Sequence, residues 1–329
     1  MRQAPDLSRR RLLELGGAAT VAATFGAAGM THAEVPKPLG TQAPGFYRMK
    51  LGNCEITLVS DGVLLASPPT MLFPQTPAAE IEAGLRAAHL PADAVAMQFN
   101  AMVVNTGANL VLIDTGCGPK YVPSAGRLAV QLRAAGFAPE AIDTVIISHA
   151  HPDHLWGAVD DDWKMVRFPN AVIHMGEVEH GFWVDPGLSA RTPEAFRSMV
   201  DGTQAVLEIV GNRLQLVQPG KEIVPGISSI ATPGHTPGHL SLRLSAGAEQ
   251  LVFSGDVVHQ SSLQLANPAW QFAFDNDPAL AIESRKKTLD MLASDGVLVA
   301  AYHFPWPGLG YVERTGDAYR WAPAPWQWL

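Results

Sequence analysis

Short apolar runs separated by glycine, proline and polar clusters recur along most of this chain, and their lengths favour strands over helices. They predict strands at Phe46–Lys50, Cys54–Ser60, Met102–Asn105 and Leu110–Asp114, the last two joined by a turn at Thr106–Asn109. A further run, Thr144–Ser148, is apolar at Val145, Ile146 and Ile147 and reads as a buried strand. Later strands are expected near 171–174, 214–217, 227–231, 240–244, 251–255 and 297–302. Helices are expected at Ala125–Ala135, closed by Gly136, and near 176–183, 193–209 and 277–293. Strands in both halves, with helices between and after them, predict two sheets packed face to face with helices outside.

The polar residues that interrupt this pattern gather at strand ends. His149, His151, Asp153 and His154 crowd into six residues directly after Thr144–Ser148. A strand sends its side chains alternately to two faces, so a set this dense must be presented by the turn that follows. Imidazole and carboxylate suit zinc and its first-row neighbours, and four on one loop exceed what a single catalytic ion keeps from one segment. Two metals are therefore expected. His235 stands in the glycine- and proline-rich stretch Ala231–His239, Asp256 closes Leu251–Asp256, and His303 closes Val297–His303. A lone histidine is usually a satisfied core or loop residue, but that reading fits poorly a set of seven at strand ends.

The order HxHxDH, a distant His, an Asp and a last His resembles the metallo-β-lactamase-fold hydrolases, over nearly the whole chain after residue 33. The resemblance implies a four-layer αββα sandwich with metals at one rim. It also implies one metal on His149, His151 and His235, another on Asp153, His154 and His303, and Asp256 bridging the pair. Two cations acidify a shared water and polarise the bond it attacks, so hydrolysis is the expected reaction. Asp153, a ligand first, can also hold the nucleophile's proton and is the candidate general base. A donor set without thiolate suits zinc and does not separate it from manganese, iron or cobalt.

Asp256 stands where a true β-lactamase of this fold carries Cys or Ser, and the tail Ala322–Leu329 lacks the basic residues with which glyoxalase-II-like thioesterases hold glutathione. The chain is more similar to methyl-parathion-hydrolase-like enzymes and their lactonase relatives. Ala43–Met49, Val104–Gly107, Gly126–Leu128, Phe168–Asn170, Arg285–Lys287 and Phe304–Pro305 carry that similarity. In that group an apolar, aromatic pocket over the metals receives a neutral ester, and Tyr121, Trp183 and Phe196 occupy matching segments; each could equally be core. Trp156 and Trp306 depart from the group by adding bulk near the ligands, which bears on substrate size. His259 follows Asp256 by three residues, where quorum-quenching lactonases of this fold carry a Tyr that contacts the substrate carbonyl. It is a candidate to polarise a lactone carbonyl or protonate the leaving alkoxide, or else to orient a ligand. His239, His174, His180 and His89 read as structural, with His239 a candidate to stand behind a ligand. A lactone or carboxylic-ester hydrolase is the first reading, an organophosphate triester hydrolase the second, and a non-catalytic periplasmic metal-binding protein the third.

Composition narrows the partners. A net charge of −8 without basic runs argues against nucleic acid or anionic lipid and leaves small, neutral or weakly polar substrates, among which the resemblance implies a neutral ester or lactone. Residues 1–33 stand apart. Ser8–Glu14 contains consecutive arginines before the small, apolar stretch Leu15–Met30, and Thr31–Ala33 resembles a cleavage site, the pattern of a twin-arginine signal peptide. Residues 34–329 are then one hydrolase domain of a periplasmic or secreted protein, with no stable membrane span after processing. The resembled group also admits a homodimer. Cys54 and Cys117 are expected to be free, with Cys117 as a metal ligand held open by its place after Asp114–Gly116.

Overall fold

Seven strands form the first sheet, paired in chain order: β1 (Phe46–Leu51), β2 (Cys54–Ala66), β3 (Val95–Asn105), β4 (Leu110–Ile113), β5 (Thr144–Ile147), β6 (Val172–Gly176) and β7 (Leu214–Val217). This computed structural model describes residues 43–327, so the signal-like segment 1–33 lies outside the described residues. β1 to β4 pair antiparallel and β4 to β7 parallel. Parallel neighbours need crossover connections, and these contain most of the helices. α1 (Ala78–Ala87) lies between β2 and β3, α2 (Leu128–Ala134) between β4 and β5, and α3 (Pro152–Leu155) between β5 and β6. α4 (Glu177–Trp183), α5 (Leu188–Arg191) and α6 (Glu194–Val210) fill the connection from β6 to β7.

The second sheet holds β8 (Glu222–Val224), β9 (Ile227–Ala231), β10 (Leu240–Ala246), β11 (Glu249–Phe253), β12 (Leu298–Ala300), β13 (Leu309–Thr315) and β14 (Ala318–Pro323), again in chain order. β11 and β12 are parallel and are joined through α7 (Pro278–Asp295). Period-two alternation decides what each strand of this sheet faces. Leu251, Phe253, Leu298 and Ala300 join the core shared with Ile56, Phe99 and Ile146 of the first sheet. Val252 and Val299 point the other way, into a cluster with Leu289 and Leu292 of α7. The arrangement is the αββα sandwich, with helices outside two facing sheets. α7 has its ends fixed locally: the Asp277 side chain accepts from Leu280 N at 3.0 Å, Pro278 occupies the first turn, and Gly296 closes the helix at φ 58°.

β2, β3, α2 and β12 differ from their expected bounds for identifiable reasons. β2 and β3 pair well beyond Ser60, with a register shift between Ser60 and Gly62, where φ is 139°. A Cβ at Gly62 would come within 2.4 Å of Ser124 O, so the irregularity requires glycine. The shift turns Asp61 inward, where it is fully buried. Its Oδ2 accepts from Cys117 N at 2.8 Å and Gly126 N at 3.2 Å, and its Oδ1 from Leu128 N at 2.6 Å. Those bonds hold residues 126 and 127 in loop form, so the helix expected from Ala125 begins at Leu128. β12 stops at Ala300 because Ala301 N bonds instead to Gly308 O, turning Tyr302 and His303 out of the sheet.

Among the described residues, no helix is long and apolar enough to cross a membrane. Cys54 and Cys117 are both free. Asp61 offers a direct stability test: Asp61→Ala orphans two buried N–H groups and a part-buried one, and urea denaturation is expected to show a loss on the order of 3 kcal/mol. An unchanged midpoint would show that the loop before Leu128 holds itself.

Candidate metal centre

Strand ends at one rim bring the seven singled-out residues together. β5 leads to His149, His151, Asp153 and His154, the β9–β10 connection carries His235, and Asp256 and His303 follow β11 and β12. Two sets result, His149, His151, His235 and Asp256, and Asp153, His154, Asp256 and His303, each with its donor atoms within 4.8 Å of one another. Asp256 belongs to both.

In the first set His151 Nδ1 lies 3.1 Å from His149 Nε2 and 2.8 Å from His235 Nε2, while Asp256 Oδ2 lies 3.2 Å from His235 Nε2. Three imidazole nitrogens and a carboxylate oxygen converge at this spacing, an arrangement that a shared cation satisfies. In the second set His154 Nε2 is 3.2 Å from Asp256 Oδ1 and 3.5 Å from Asp153 Oδ2, and His303 Nε2 is 3.5 Å from Asp153 Oδ2. His154 Nε2 and Asp256 Oδ1 are buried and make no hydrogen bond. Buried polar atoms are nearly always satisfied, so this orphaned pair fits a metal. Cys117 lies outside both sets, its thiol 3.2 Å from Gly118 O.

Charge follows the same plan. Burial, reinforced by neighbouring imidazoles, holds His149 and His151 well below the ordinary histidine range, which keeps them in the neutral ligand form. Burial opposes the charge on His235, yet its bonds to Asp256 and Asp275 win and raise it to about 9. His154 is also raised, by Asp256, Asp153 and Asp114 against burial. Burial would raise Asp153, but His154 and His303 bring it down to about 2. The carboxylates thus favour positive charge at the centre, the condition that cations meet.

Behind the ligands stand residues that the sequence pattern did not single out. Asp114 accepts from Ser148 N at 2.7 Å through Oδ1, and its Oδ2 faces His154 Nδ1 at 2.7 Å. Asp275 Oδ1 faces His235 Nδ1 at 3.0 Å, and His303 Nδ1 donates to Gln98 O at 2.9 Å. Each partner ties down the outer ring nitrogen and leaves Nε2 for the centre. His239 stands behind Asp256 as expected, its Nε2 accepting from Asp256 N at 2.9 Å. Glu179 is wholly buried and receives four donors: Ala150 N, the Trp183 indole, the Thr236 hydroxyl and Gly238 N. It joins the His149–His154 loop to the loop carrying His235. Asp114 could have been found, since it closes Leu110–Ile113 as Asp256 closes its own strand. Glu179 and Asp275 carry no such local signal.

The centre floors a cavity of about 20 Å³ bordered by Leu64, Met97, Tyr121, Phe272 and Phe274. It shares His151, Met199 and Phe274 with a larger one of about 550 Å³ that Trp183, Leu188, Phe196 and Val200 line. Trp183 also turns its ring edge to His151, with centroids 5.6 Å apart. His259 borders the small cavity, stacked on Phe272 at 3.7 Å, with Nε2 3.1 Å from Asp256 Oδ2. The bulk expected from two tryptophans does not enter either space. Trp156 is buried with its indole donated to Thr203 Oγ1, and Trp306 lies outside both linings. His89, His174 and His180 lie outside both metal sets.

Residues 95–303 match the family model for the metallo-beta-lactamase superfamily. An N-acyl homoserine lactonase of Bacillus sp is 23% identical over 208 residues, covering 57% of this chain and 75% of that protein. A probable metallo-hydrolase of Mycobacterium tuberculosis is 23% identical over 187 residues, 50% of this chain; the chain spans just 58% of that relative's length. Among solved structures, the dizinc quorum-quenching lactonase AidC, in complex with an N-hexanoyl-L-homoserine product, superposes with a TM-score of 0.82. It is 31% identical and covers 86% of this chain and 98% of its own. The hydrolase AbOPH of the β-lactamase superfamily gives 0.81 at 31% identity, covering 87% of this chain and 100% of its own.

Glu179→Gln tests the joint between the two loops. An amide must turn its NH₂ towards at least one of four donors, and chelator-treated protein is expected to lose about 1–3 kcal/mol in urea denaturation. Unchanged metal-free stability would remove Glu179 from this role.

Proposed function

The chain belongs to the metallo-β-lactamase superfamily, and from that premise we propose a binuclear metal-dependent hydrolase of lactones or carboxylic esters. The carrying observation is that Asp256 completes two His/Asp sets at the floor of a largely apolar cleft. The likeness to AidC and to an N-acyl homoserine lactonase supports the lactone reading. Zinc at both sets is part of the proposal, supported by the donor chemistry and by AidC being a dizinc protein. Export by the twin-arginine route is part of it too, supported by Ser8–Glu14 in the sequence.

When bound, two divalent cations supply a water acidified towards neutrality and a polarised carbonyl. His149, His151 and His235 would hold one ion and Asp153, His154 and His303 the other, with Asp256 common to both. Asp153 borders the cleft, so beyond ligation it can take the nucleophile's proton at its carboxylate. His259 borders the same floor and can polarise the carbonyl or pass a proton to the leaving alkoxide. Phe272, stacked on its ring, keeps water from one face. The Leu188, Phe196 and Val200 wall offers an apolar group a place to bind.

A second reading, phosphotriester hydrolysis, draws on the aromatic border of Tyr121, Trp183 and Phe196, which suits an aryl leaving group. Comparison of kcat/KM for a long-chain acyl homoserine lactone, an aryl ester and methyl parathion separates the two. Lactone or ester is expected to lead, and His259→Leu to lower that activity by about 10²-fold while sparing methyl parathion. Preference for methyl parathion would favour the second reading, and equal losses on all substrates would leave His259 without a proton-handling role.

A further inference from the structure

Arg285 lies in α7 with no exposure at all. A buried guanidinium must find partners for donors set in a fixed fork, and where they point shows what it organises. Nε donates to Val257 O at 2.9 Å, Nη1 to Pro268 O at 3.1 Å and Trp270 O at 2.9 Å, and Nη2 to Asp275 Oδ2 at 3.2 Å. The other oxygen of Asp275 faces His235 Nδ1 at 3.0 Å. His235 Nε2 is thereby left towards His151 Nδ1 and Asp256 Oδ2. The main chain doubles the link, since Asn276 N donates to His235 O at 3.0 Å and Asp277 N to Gly234 O at 2.9 Å. Gly234 is itself indispensable there, because a Cβ would meet Ala281 N at 2.2 Å. The segment that Arg285 gathers, 257–275, also carries His259, Phe272 and Phe274 on the cleft border.

We propose that Arg285 is a positioning residue with two outputs. Through Asp275 it fixes His235 in the tautomer whose lone pair is on Nε2, and through the carbonyls of Val257, Pro268 and Trp270 it sets the cleft wall. The inference rests on the reading of His149, His151, His235 and Asp256 as a metal site. Stability alone is a weak reason for this arrangement, because a buried ion pair rarely stabilises more than apolar residues of the same volume. The shared carboxylate supplies a reason, since it faces the ring nitrogen that decides whether His235 can ligate.

Asp275→Asn and Arg285→Lys separate these outputs. The amide that Asp275→Asn introduces has to point its NH₂ at Arg285 Nη2 or at His235 Nδ1, both donors. The conflict with the ring is relieved when His235 shifts its proton to Nε2, the atom that ligates. Lysine carries three donors on one nitrogen and cannot reach four separated acceptors. The experiment is zinc titration of chelator-stripped full-length protein against a chromophoric chelator, with KM for a short-chain and a long-chain ester alongside. Wild type is expected to take two zinc ions. D275N is expected to weaken one of the two sites by about 10–100-fold with the short-to-long KM ratio kept. R285K is expected to weaken the same site and change that ratio, and the double variant to bind zinc no worse than the weaker single. Zinc affinities within about twofold of wild type in both variants, or losses that add fully in the double, would overturn the relay while leaving the metal reading intact. A wild type that binds no zinc would overturn the metal reading and the relay with it. If R285K does not fold, the isosteric D275N decides by the same zinc criterion.

Discussion

A single buried carboxylate, Asp256, sets the terms for the rest of the structure. It is 3% exposed, with His303, His259 and His235 within 3.2 Å of Oδ2 and His154 3.2 Å from Oδ1. An ionised carboxylate removed from water costs several kcal/mol unless opposite charge and hydrogen bonds replace the solvent. The fold must therefore deliver rings from distant segments to one point, and the two sheets do so by ending β5, β11 and β12 at the same rim. His239 holds the main-chain N–H of Asp256 and ties its position to β10.

The imidazoles are held as firmly as the carboxylate they surround. Asp114, Asp275 and the Gln98 carbonyl each stand behind one ring, while Glu179 joins the two loops of the first set. Such fixation lets metal ligands be presented in place without ordering at the moment of binding. The cleft above is less polar and is lined largely by the helices α4 to α6 and by Phe272 and Phe274, so its wall and the two His/Asp sets are built from different parts of the chain. Asp275 and the residues Arg285 gathers are where those parts touch.

How much of this was legible in the sequence follows from distance along the chain. The His149–His154 turn is a local pattern after an unmistakable strand, and His235, Asp256 and His303 each close an apolar run, so the seven centre residues could be named. Asp61, Glu179 and Asp275 find their partners 56, 59 and 40 residues away, at Cys117, Gly238 and His235. No periodicity records such pairings. β13 and β14 escaped because charges and aromatics break up their apolar positions without a clean alternation, as Leu309–Thr315 shows, and they read as irregular chain. The extra length of β2 was hidden by Asp61 and Gly62, a pair typical of turns that here makes a bulge. Trp156 looked like an obstacle to substrate; its side chain turns to Thr203 and Gly202 on α6, a direction set by tertiary packing.

Everything proposed for this centre turns on two divalent ions sharing Asp256. Native mass spectrometry of chelator-stripped protein titrated with zinc tests it most directly. Two ions per chain are expected in the wild type and, in Asp256→Ala, loss of the second equivalent or of both. One ion in the wild type, or two retained without Asp256, would contradict it.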